Sequence, residues 1–124
     1  MGDPMTKVVL LFAVASATVA LSLPAGAATP PTKLVGTVGP SFTIGLTKGG
    51  KKVTTLKPGA YSITIHDKSD FHNFHLTGPG VNKKTTVPFV GTPAKPWNVT
   101  LKAGTYRFVC DPHRTQMKGS FTVK

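Results

Sequence analysis

A lone cysteine, Cys110, is followed three residues later by His113 and four residues after that by Met117, within RFVCDPHRTQMKGSFTV (residues 107–123). Thiolate, imidazole and thioether are all metal ligands. Thiolate with thioether makes a soft pair, and imidazole suits copper. The spacing C-x2-H-x3-M confines the three to one loop. Cys110 closes an alternating stretch, Asp111-Pro112 turns the chain, and Pro112 stiffens the turn by fixing φ. A thiolate and an imidazole on either side of such a turn can reach one ion. A trigonal copper site needs a second histidine, and FHNFHL (residues 71–76) offers His72 and His75, with His66 nearby. His72 and His75 are three residues apart, so in a strand they face opposite sides, and only one can be the ligand. The plainer readings are a buried structural thiol for Cys110, a satisfied histidine at position 72, a surface histidine at position 66 and a packing role for Met117.

The elements that must position these residues read as strands and turns. FTIGL (42–46), YSITIHD (61–67), FHNFHL (71–76), WNVTL (97–101), TYRFVC (105–110) and GSFTV (119–123) carry apolar side chains at alternate positions. TTVPFV (85–90) reads as an edge strand, because Pro88 cannot donate to a ladder. Gly- and Pro-rich breaks separate the runs, and no helical period stands out. This pattern predicts an all-β protein, a Greek-key antiparallel sandwich or barrel. LKPGAY (56–61) and LKAGTY (101–106) repeat 45 residues apart and resemble tyrosine corners, in which the phenol bonds back to the backbone as the chain crosses between sheets. The repeat aligns Ile65 with Cys110, so a core residue in one copy is a thiol in the other. Phe42, Phe74, Trp97 and Phe108 are expected in the core, whereas Phe71, Phe89 and Pro112 are candidates for an apolar rim around the metal edge.

The chain has 124 residues and a formal charge of +11. Residues 5–28 have the form of a secretory signal: Lys7 as the positive segment, an apolar run from Val8 to Leu23, and the small-residue triplet Ala25-Gly26-Ala27. The rival reading is an uncleaved anchor, but the run is shorter than the ~20 residues a spanning helix needs. The expected organisation is a signal peptide with a short extension at 1–27, a Pro-rich lead-in at 28–33 and one domain at 34–124. Export allows disulfides, yet a single cysteine cannot form an internal one, which leaves a reactive thiol, an intermolecular bridge or a metal ligand. Loss of residues 1–27 removes only Asp3 and Lys7, so the charge stays at +11. That excess fits a solvated surface, or steering toward an acidic redox partner or an anionic envelope surface. A nucleic-acid role would need an aromatic platform or a recognition helix, and neither is evident.

The combination of HNFHL with YRFVCDPHRTQMKGSFTV resembles the small blue (type 1) copper proteins, the plastocyanin/azurin-like cupredoxins. In that family a histidine followed by asparagine precedes the Cys, His and Met of one loop, then M-x-G and a final strand. The resemblance covers residues 34–124 and implies a cupredoxin-like sandwich with one copper held by His72, Cys110, His113 and, axially, Met117. The gap from His113 to Met117 is one residue shorter than in plastocyanins and one longer than in amicyanins. The resemblance also gives Asn73 the role of tying the first-histidine segment to the cysteine loop, with Asp111 as acceptor, and makes His113 the electron exit. It implies an exported, monomeric carrier of single electrons that works with a redox partner and is not an enzyme. Copper carriage without electron transfer is the alternative. A multicopper oxidase or nitrite reductase needs a second centre and more than four histidines, and a binuclear CuA site needs two cysteines. A metal-free adhesion sandwich is the remaining class.

Overall fold

The computed structural model describes residues 2, 12–22, 26 and 28–124. Lys7, Ala25 and Ala27 of the signal-like segment lie outside the described residues. Residues 12–22 carry no regular secondary structure, and among the described residues no helix is long and apolar enough to cross a membrane.

Among the described residues, ten strands account for the fold: β1 Thr32–Val38, β2 Ile44–Lys48, β3 Lys51–Lys52, β4 Thr55–Leu56, β5 Gly59–Asp67, β6 His75–Gly78, β7 Val81–Lys84, β8 Trp97–Leu101, β9 Gly104–Val109 and β10 Lys118–Val123. They form two five-stranded sheets, ordered β3-β2-β1-β5-β8 and β4-β10-β9-β6-β7. Alternation sets the inner faces: Leu34 and Val38 on β1, Tyr61, Ile63 and Ile65 on β5, Tyr106 and Phe108 on β9, and Phe121 and Val123 on β10 are all buried. The expected all-β sandwich is therefore present. Its sheets are mixed rather than purely antiparallel, since β1 runs parallel to β5 and β4 parallel to β10. The cause is a crossover. After the β2–β3 hairpin the chain passes through β4 into the second sheet, then starts β5 at the end where β1 began.

Both repeated LKxGxY segments are tyrosine corners. Tyr61 Oη donates to Lys57 O at 2.6 Å, and Tyr106 Oη donates to Lys102 O at 2.9 Å while accepting from the Lys102 N–H at 2.9 Å. Burial pushes the Tyr61 phenol above its ordinary pKa.

Two expected strands are not formed as expected. In FHNFHL the strand begins only at His75. Ahead of it the Asp67 carboxylate accepts from the Ser69 N–H at 3.0 Å, Ser69 Oγ from the Phe71 N–H at 3.2 Å and Thr85 Oγ1 from the Phe74 N–H at 2.9 Å. Side chains thus take the amides that a ladder would use. Residues 85–90 are a loop, not an edge strand: Pro88 has no N–H, and the Phe89 N–H closes a turn onto Thr86 O at 3.1 Å. Meanwhile Lys33, placed in the lead-in by sequence, lies within β1.

The strand registers give the sandwich two distinct ends. Val38 pairs with Asp67 and Ile44, and Val109 with His75 and Lys118, so segments 39–43, 68–74, 85–96 and 110–117 lie at one end. Gly59 pairs with Leu101, Gly78 with Val81 and Gly104 with Val123, so the turns at 49–50, 57–58, 79–80 and 102–103 lie at the other.

Candidate metal centre

Three segments from the first end converge on one point. β9 delivers Cys110, which is fully buried. Its N–H donates to Met117 O at 3.0 Å, and the 3-10 turn Asp111–His113 then brings His113 back over it. The third donor comes from the side-chain-held segment before β6, where His72 is 3 % exposed. His72 Nδ1 lies 3.1 Å from His113 Nδ1, and Cys110 Sγ lies 3.7 Å and 3.5 Å from the two nitrogens. Among the described residues, this is the group of three or more His, Cys or acidic side chains able to share an ion.

The donor triangle fits a metal. A point equidistant from its three corners lies about 2.0 Å from each, the length of a metal–imidazole bond and slightly under a zinc–thiolate bond. Two imidazole nitrogens and a sulfur present lone pairs to that point, and this is the donor set of a trigonal copper site. Met117 closes the same loop. It is fully buried in the core, and its N–H donates to His113 O at 2.8 Å while its carbonyl holds Cys110. The x3 spacing therefore closes a compact loop whose backbone ties Cys110, His113 and Met117 together.

Asn73 and Asp111 brace this loop against the first-histidine segment. Asn73 Nδ2 donates to Asp111 Oδ2 at 2.8 Å, and Asn73 Oδ1 accepts from the Asp111 N–H at 2.7 Å. The sequence expectation for this pair holds, and the structure adds two further partners. His75 Nδ1 donates to Asp111 Oδ1 at 2.9 Å, and Arg114 Nη2 donates to the same oxygen at 2.8 Å. Burial raises the Asp111 pKa, but hydrogen bonds from His75 and Asn73 and the charges of His75 and Arg114 outweigh it, so the carboxyl sits below its ordinary value. His75 thus turns away from the donor triangle, and its Nε2 lies 2.7 Å from Asn82 Oδ1. His66 is exposed, with Nδ1 2.7 Å from Thr92 Oγ1.

The aromatic assignments divide. Phe74 and Phe108 are buried and stacked at 5.4 Å, and Trp97 packs on Phe74 at 6.3 Å. Phe42 is not core. It is 60 % exposed and sets its ring against the edges of His72 and His113 at 5.6 and 4.9 Å. β2 begins only at Ile44, so Phe42 belongs to the loop that reaches the site. The signal that could have placed it there is the preceding Gly39-Pro40 break. Gly39 has φ of 74° and runs so close to the site that a Cβ there would sit 3.2 Å from His72 Cδ2. Phe71 and Pro112 join Pro40, Phe42 and Val87 in an open apolar cleft over His72 and His113, whereas Phe89 does not line it.

Comparisons with known proteins agree with this geometry. The family of copper binding proteins of plastocyanin/azurin type matches residues 48–124, a span that holds His72, Asn73, Cys110, His113 and Met117. No curated protein matches the chain. Among solved structures, a His-to-Met variant of rusticyanin is 26% identical, with TM-score 0.50, over 74% of this chain and 76% of that one. Rusticyanin from Thiobacillus ferrooxidans is 29% identical with TM-score 0.46 over 74% and 76%. A Met-to-Leu variant of oxidised amicyanin is 18% identical with TM-score 0.48 over 73% and 80%. The cofactor is copper, and the chain belongs to the plastocyanin/azurin family of copper-binding proteins.

Proposed function

We propose that this protein carries single electrons outside the cytoplasm, and that His72, Cys110 and His113, with Met117 as a weaker fourth ligand, would hold one type 1 copper. Copper bound there supplies a Cu(II)/Cu(I) couple. The observation that carries the reading is the convergence of one sulfur and two imidazole nitrogens at 3.1–3.7 Å on elements braced from behind. The chain's own part is to hold that triangle in one arrangement. Cys110 is fixed through its N–H, the loop through the Asn73–Asp111 pair, and His72 through the turn that Asp67 and Ser69 organise. A site that does not rearrange between oxidation states exchanges electrons with little reorganisation.

His113 is the exit. Its Nδ1 faces the other donors while its ring shares the apolar cleft with Pro112 and Phe42. A redox partner seated on that rim excludes water from the imidazole edge, and the basic balance of the protein favours a partner with an acidic docking face. An enzymatic role has little support: the other histidines, His66 and His75, are engaged elsewhere and lie in no second cluster among the described residues. The signal-like segment supports export. Protein-film voltammetry of the copper-loaded protein tests the reading. A reversible one-electron wave that survives repeated cycling is expected; copper passing to a chelator upon reduction would mark a carrier instead.

A further inference from the structure

The acidic charges of the folded domain are confined to one end, while basic groups lie at both. All three acidic side chains of residues 28–124 lie at the metal end: Asp67 closes β5, Asp70 lines the cleft over His113, and Asp111 follows Cys110. The opposite end has no Asp or Glu side chain. In its turns and strand ends it carries Lys48, Lys51, Lys52, Lys57, Lys102 and Lys124, all exposed. Lys48 pairs with Lys51 across the β2–β3 hairpin, and Lys48, Lys57 and Lys124 line one shallow cleft together with Thr29 and Pro30. Lys102 follows Leu101, the residue paired with Gly59. These lysines come from both sheets, and neither arginine of the chain is among them.

We propose that this lysine end is a docking face for an anionic lipid bilayer, which turns the metal end outward toward soluble partners. Several features favour a bilayer over a shaped acidic protein. Lysine is a compact point charge on a flexible stem, without the fixed fork that arginine offers to a carboxylate in one geometry. Six such groups spread over these turns and strand ends match a fluid surface of mobile phosphates, where attraction grows with each added cation. The chain that precedes β1, and which carries the apolar run of residues 8–23, also joins the domain at this end, as Thr29 and Pro30 show. The attraction does not require copper, so its failure and the failure of the electron-carrier reading are separable.

Among the described residues, the ten strands and the buried core lie within residues 32–124, so a chain beginning at residue 28 keeps the sandwich. The test is co-sedimentation of that chain with vesicles of phosphatidylcholine alone, or with about one-third phosphatidylglycerol. Binding to the anionic vesicles only, lost in high salt, is expected. Replacing Lys48, Lys51, Lys52 and Lys57 together by Gln should weaken it by more than about tenfold. Replacing Lys68, Lys84, Lys95 and Lys118, which lie toward the metal end, removes the same charge and should weaken it far less. Lysine acetylation read by mass spectrometry should show the first four protected on vesicles and the second four still reactive. Equal losses from the two quadruple variants, or uniform protection, would overturn the proposal by showing that only net charge matters. Absence of binding to anionic vesicles would overturn it too, leaving the lysine end to an acidic protein.

Discussion

Asp111 takes hydrogen bonds from Asn73, His75 and Arg114, and its own N–H returns one to Asn73. Removing that carboxylate leaves the buried Asn73 amide short of one partner. Asp111→Ala should destabilise the metal-free protein by about 1–3 kcal/mol in urea unfolding, the usual loss when a buried polar group is left unsatisfied. It should also broaden the copper signal in electron paramagnetic resonance, because the loop is then less tightly placed. The two candidate histidines divide just as sharply. His72→Ala takes one corner from the donor triangle and should abolish the normal charge-transfer spectrum. His75→Ala touches only the brace and should leave the spectrum nearly unchanged, with a small shift in potential. The reverse result would exchange their roles.

At the scale of elements, the second tyrosine corner anchors the strand that delivers the thiol. Tyr106 is fully buried, and its hydroxyl both donates to and accepts from the backbone of Lys102. Tyr106→Phe should lower stability by about 1–2 kcal/mol while the copper spectrum stays intact, because the loss falls at the far end of β9. The loop after β9 carries a different dependence. If Met117 binds the copper, Met117→Gln should lower the reduction potential, since an amide oxygen favours Cu(II), and Met117→Leu should change it in another measure. Three coincident potentials in voltammetry would remove Met117 from the ligand set. Much of this scale was legible from residue patterns. β5, β8, β9 and β10 follow from alternation, and both corners from LKxGxY. The misplaced pieces share a cause. Residues 71–74 and 85–90 alternate or carry β-formers, yet their amides are claimed by Ser69, Thr85 and a turn, partners that become near neighbours only once the sheets are packed. Phe42 was placed in the core for the same reason: apolar character alone does not say which end of a strand runs on into a loop over the site.

For the molecule as a whole, the sandwich separates support from chemistry. The core between the sheets holds Phe74, Phe108, Cys110 and Met117, and the donors sit where three chain segments emerge at one end. A ligand set drawn from segments distant in sequence links metal affinity to folding. Copper present at about a thousandfold over its Kd should add ~4 kcal/mol to stability and raise Tm measurably. The parallel pairing of β1 with β5 could not be read from the strand pattern, because alternation is the same for either direction. The central claim is that Cys110 supplies a thiolate to one copper. Titrating the metal-free protein with Cu(II) while recording the visible spectrum tests it most directly. An intense blue or green charge-transfer absorption is expected that saturates at one copper per chain and is absent in Cys110→Ser, whose fold is retained. A colourless wild-type protein, or colour that persists in Cys110→Ser, would contradict it.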